Sequence, residues 1–79
     1  MNTYLNIGCD FLDSEGNRVT SIQLVDKATK KSIANVLYDN EKLIKCICCD
    51  RVDKSIFLMD AEKLLNNSIP VSFRETKLP

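Results

Sequence analysis

Histidine and tryptophan are missing from this chain, glycine and proline occur only twice each, and eleven basic residues cancel eleven acidic ones. Each absence removes a class of chemistry. Without histidine, a nucleophilic cysteine or serine lacks its usual base, and a structural zinc site lacks the ligand that often completes a cysteine set. Two glycines leave no glycine-rich phosphate loop, and neither G-x-S-x-G nor H-E-x-x-H occurs. The inventory argues against an enzyme and implies no cofactor. The charges are balanced and mixed along the chain, whereas nucleic-acid affinity comes largely from neutralised phosphates. A weak nucleic-acid-binding regulator is therefore a minor reading, and Lys27, Lys30 and Lys31 read as a solvated turn.

No long apolar run or basic leader occurs in the opening MNTYLNIGCDFLD. The expectation is a cytoplasmic protein with no signal peptide, no membrane span and reduced thiols. Asn66-Asn67-Ser68 matches a glycosylation sequon that has no meaning without secretion. Enrichment in Asn, Ile and Lys points to an AT-rich source such as a Firmicute or its phage.

What is present is a chain of 79 residues, 44% apolar and 28% charged, the composition of a folded domain rather than a disordered one. One small globular domain over residues 1–79 is expected, burying roughly 60% of its unfolded surface. Leu5, Ile7, Cys9 and Phe11 alternate with more polar neighbours, the period of a half-buried strand with Cys9 on its apolar face. Asp13 to Asn17 supplies turn residues, and Thr20, Ile22 and Leu24 mark one face of a second strand. Ser32 to Tyr38 fits a third strand or a helix; the short polar turn before it favours the strand.

From Asp39 the period changes. Leu43, Ile44, Ile47 and Cys48 fall on one side of a helix capped by Asp39 or Asn40. Ser55 to Met59 reads as a buried strand, and Asp60 as the cap of a two-turn helix through Leu65 that ends at Asn66 and Asn67. Ile69, Val71 and Phe73 around Pro70 predict an edge strand, followed by a loose tail over 74–79. The expected fold is α+β: a small antiparallel sheet of four or five strands with one or two short helices.

Three of the four cysteines fall in Lys45-Cys46-Ile47-Cys48-Cys49-Asp50. A zinc site would need Cys9, Cys46, Cys48 and Cys49 to converge, although the adjacent Cys48 and Cys49 diverge by about 100° on a helix. A thioredoxin-like pair would need its C-x-x-C at a helix N-terminus, where the dipole lowers the thiol pKa. Ile69-Pro70 superficially resembles the isoleucine-proline of that family, but these cysteines fall at the end of the expected helix. Cysteine as a small hydrophobe is the preferred reading, so no metal is expected; Cys48 then faces the core with Ile44 and Ile47. Asp10 with Asp13, and Asp50 with Asp53, lack the oxygen count and glycine turn of a calcium loop.

Binding remains. Tyr4, Tyr38, Phe57, Met59 and Phe73 are the candidate interface anchors, with core packing as the alternative for Phe57, Met59 and Phe73. Arg18, Lys27, Lys31, Arg51 and Arg74 are the candidate phosphate contacts of a nucleotide-binding sponge formed between copies.

The run Ile22 to Asp26 through Thr29, with Val36-Leu37-Tyr38 and Leu43-Ile44, resembles in outline the small orphan proteins of Firmicute phages and prophages. The likeness is one of size, composition and a hairpin followed by a short helix, over about half the chain. It implies no activity by itself, but many such proteins bind and block host factors. The leading expectation is a non-enzymatic interaction protein that inhibits or sequesters a host protein. The sponge, which is a homo-oligomer binding a small molecule, is the alternative, with a zinc or redox module behind it.

Overall fold

The computed structural model describes residues 2–67. Four strands, β1 (Thr3–Leu12), β2 (Arg18–Asp26), β3 (Ser32–Asp39) and β4 (Lys42–Cys48), precede one helix, α1 (Lys54–Asn67). The strands form a single antiparallel sheet in the order β1-β2-β3-β4, so each pairs with its chain neighbour and β1 and β4 are the edges. The expected edge strand at Ile69 to Phe73 and the tail after it lie outside the described residues.

Turn chemistry explains the meander. Asp13 Oδ1 accepts the amides of Glu15 and Asn17, both at 2.9 Å, while Gly16 takes a φ of 83° that glycine adopts without a Cβ penalty. At the second turn Asp26 Oδ1 accepts from the Ala28 amide and Thr29 Oγ1 from that of Lys31. The third turn is only two residues, Asn40 and Glu41, both with positive φ (53° and 65°), the backbone of a type I′ hairpin. Asn40 also ties this turn to the first, its Nδ2 donating to Asn17 Oδ1 at 2.6 Å.

That hairpin corrects the expectation of a helix from Asp39 to Cys49. Ile44 is an extra residue in β4, because Leu43 pairs with Tyr38 and Lys45 with Leu37. The bulge breaks the period-two alternation of Lys42–Cys48, and the broken pattern imitates a helical one. The expected strand Ser55 to Met59 and the expected start at Asp60 are corrected too. One helix covers both, and its N-cap is Asp53, whose Oδ1 accepts the amides of Ser55 and Ile56 at 3.0 and 3.3 Å.

α1 lies across one face of the sheet with Phe57, Ala61 and Leu65 buried at spacing four. Against them stand Ile22 of β2 and Ala34, Val36 and Tyr38 of β3, with Leu5, Ile7, Leu24, Leu58 and Leu64 around the rim. Removing a phenylalanine side chain such as Phe57 from water contributes about 2–3 kcal/mol. The single helix covers the middle of the sheet, and the opposite sheet face has no layer over it among the described residues.

Candidate interaction surface

Strand alternation sends Tyr4, Asn6, Cys9 and Phe11 of β1 to the side away from the helix, opposite Val25, Gln23, Ser21 and Val19 of β2. On β3 the same face carries Asn35 beside Gln23 and Leu37 beside Ser21; on β4 it carries Ile47 beside Asn35 and Lys45 beside Leu37. Two rows therefore cross the whole sheet: Asn6, Gln23, Asn35, Ile47, and Cys9, Ser21, Leu37, Lys45. No charged residue stands on the outward face of β1 or β2. The strand charges of this face are Asp39, Lys42 and Lys45, all at the β3–β4 margin, and Lys30 reaches Tyr4 from the β2–β3 turn.

Charge depletion on a solvent-facing sheet, in a chain with 28% charged residues, is the compositional sign of an interface centre. The amides, with Ser21 Oγ near Asn35 Oδ1 at 3.3 Å, form a hydrogen-bonding strip. Apolar groups surround it: Tyr4 and Phe11 are each 40% exposed and Ile47 56%. A shallow hollow of about 250 Å³ lies among Ser21, Asn35, Leu37, Lys45 and Ile47. Tyr4 carries Lys30 Nζ 6.0 Å from its ring centroid, the outer limit of a cation–π contact. Beside this face runs β4, an edge whose outer backbone groups have no neighbouring strand among the described residues, with Leu43 and Ile44 exposed on it.

A bulge at Gly8 sets which β1 residues reach this face. Ile7 pairs with Ile22 but Cys9 with Ser21, so Gly8 is the extra residue. The expectation that Cys9 faces the core is corrected: the bulge turns Cys9 outward and brings Asp10 inward, where it is buried. The cost of burying Asp10 is offset by Arg18, which meets it at 2.9 Å, and by Thr20 Oγ1, which donates to it at 3.0 Å. The Asp10 carboxylate in turn holds the Arg18 guanidinium above its ordinary pKa, against the opposing effect of burial.

The cysteines separate into two groups. Cys9 is on β1 and Cys46 and Cys48 on β4, three strand spacings or about 14 Å apart. Cys46 and Cys48 both pack against the core, their Sγ atoms 3.7 Å apart, while Ile44 and Ile47 are exposed. These two thiols pack against the core, with Ile44 and Ile47 on the solvent side rather than in it. Burial, then Cys46, pushes the Cys48 thiol up. Among the described residues no three His, Cys, Asp or Glu side chains are grouped to hold a metal.

Of the expected interface anchors, Tyr4 lies on the open face and Met59 on the outer side of α1, 52% exposed. Tyr38 and Phe57 are core residues, 1% and 2% exposed, and so cannot meet a partner; both occupy the sheet–helix seam because their spacing matches its period. Phe73 lies outside the described residues. Phe11, Leu37 and Ile47 also stand on the open face, Phe11 through the Gly8 bulge and Ile47 because β4 is a strand rather than the expected helix. The expected phosphate contacts do not all converge. Arg18 is engaged by Asp10 and Glu41, whereas Lys27 and Lys31 follow the other end of β2, roughly 26 Å along the strand. Arg51 lies near Ser32 and Ile33 at that same end, and Arg74 is outside the described residues.

No helix among the described residues is long and apolar enough to cross a membrane. No family model, curated protein or solved structure matches the chain.

Proposed function

We propose that this is a non-enzymatic interaction protein, encoded by a phage or other mobile element, that binds a host protein through its open sheet face and inhibits or sequesters it. The observation that carries the reading is the outward face itself: an amide and hydroxyl strip, bordered by Tyr4, Phe11, Leu37 and Ile47, with the charges of its strands confined to one margin. Four strands of seven to ten residues span a footprint of roughly 500 Å², the scale of a transient complex. β4 adds an edge to which an extended segment of the partner can pair. The phage assignment rests on the outline resemblance to small phage and prophage proteins. A nucleotide sponge is the second reading: Lys27, Lys31 and Arg51 share one end of the sheet, whereas Arg18 stands at the other and is engaged by Asp10.

The test is capture of partners from the cognate host by the wild-type chain and by a Phe11→Asp/Ile47→Asp variant. The proposal expects one stoichiometric host protein that the variant loses while keeping its melting temperature. Retention by the variant would move the binding surface elsewhere.

A further inference from the structure

Cys46 and Cys48 are two residues apart on an extended strand, so both thiols project to the helix side, 3.7 Å from each other. Residues so spaced have Cα atoms about 6.6 Å apart, near the upper limit for a disulfide, whose sulfurs must close to about 2.0 Å. The pair is therefore better placed to share a third atom than to bond to itself. We propose that Cys46 and Cys48 form a two-thiolate chelate for a soft, low-coordinate cation of the Cu(I) class.

Soft thiolate ligands select Cu(I) over harder ions. Zinc needs four ligands, and no set of even three is grouped among the described residues, whereas a monovalent soft ion is satisfied by two sulfurs in opposition. Access does not require opening the core. Both cysteines are partly exposed on an edge strand, and Cys48 lines an open hollow of about 340 Å³ with Ile33, Cys49 and Arg51. Binding releases one proton from each thiol, so a monovalent ion leaves the bis-thiolate complex with a single negative charge.

The test titrates the reduced full-length chain anaerobically with Cu(I) in competition with a chromophoric Cu(I) chelator. The wild-type chain should retain one Cu(I). Cys46→Ser/Cys48→Ser should weaken retention by more than about 100-fold, and Cys9→Ser/Cys49→Ser should leave it unchanged. X-ray absorption on the loaded Cys9→Ser/Cys49→Ser chain should show two sulfur neighbours, a readout that stands even if the other double variant does not fold. Loss of all Cu(I) to the chelator, equal retention by Cys46→Ser/Cys48→Ser, dependence on Cys9 or Cys49, or a third sulfur neighbour would each overturn the proposal.

Discussion

Arg18 and Asp10 are joined at two points, Nε to Oδ1 and Nη2 to Oδ2, both at 2.9 Å. Their side chains are 11% and 2% exposed. Removing one partner of a buried pair strands the other charge, and the loss is about 3–5 kcal/mol. Asp10→Ala is expected to lower unfolding stability by about 3 kcal/mol, read from urea midpoints. Exchanging both partners for apolar residues of similar volume, Asp10→Leu with Arg18→Met, is expected to cost less than Asp10→Ala alone, because no charge is left buried.

Deleting Gly8 tests the bulge. The shortened strand keeps Ile7 opposite Ile22, Cys9 opposite Ser21 and Asp10 opposite Thr20 in an unbroken ladder, so Cys9 stays outward and Asp10 inward. The deletion should therefore destabilise by less than Asp10→Ala. Gly8→Ala, whose Cβ would meet Gln23 Nε2 and Ser21 Oγ at 3.4 Å, keeps the residue count and should cost less than about 1 kcal/mol.

Tyr38 carries a buried hydroxyl with no hydrogen-bond partner among the described residues. An unsatisfied buried polar group costs about 1–3 kcal/mol, so Tyr38→Phe is expected to raise stability at neutral pH by about 1 kcal/mol. Burial, then the Glu62 carboxylate, hold the Tyr38 phenol above its ordinary range, and Cys48 is shifted upward too. A group that ionises less readily when folded contributes stability that is full below its unfolded pKa and is lost as pH rises through its folded one. Stability should thus begin to fall above about pH 8.5 through Cys48 and fall again above about pH 10 through Tyr38. Tyr38→Phe should abolish only the second step in denaturation curves taken across this range.

The β1–β2 hairpin was legible because Asp13 to Asn17 combines turn residues with clean alternation on the β2 side, at Thr20, Ile22 and Leu24. The third strand was legible through its short polar connection. β4 was not, because the bulge at Ile44 disrupts its period and the turn before it is Asn-Glu rather than the Asn-Gly that usually marks a type I′ hairpin. α1 was half legible: Ser55 to Met59 is a short apolar run that fits strand or helix, and only the continuation to Ala61 and Leu65 reveals the four-residue stripe. Of the open face, Tyr4 was found. The others depended on Gly8 and Ile44, each a single inserted residue that decides which side its neighbours face.

Exposed open-face positions should separate binding from folding. Ile47→Ser, at a side chain 56% exposed, is expected to change stability by no more than about 0.5 kcal/mol, and Phe11→Ser, at one 40% exposed, to lower it by about 1 kcal/mol. Each should nonetheless weaken partner capture by about tenfold or more, the loss expected of an interface anchor.

Site-specific photo-crosslinking in the cognate host tests the central claim most directly, with a photoreactive residue placed at Phe11, at Ile47, or at Met59 on the outer side of α1. The account predicts that Phe11 and Ile47 give adducts with the same host protein and that Met59 gives none. Adducts from Met59 alone, with none from the two sheet positions, would contradict it.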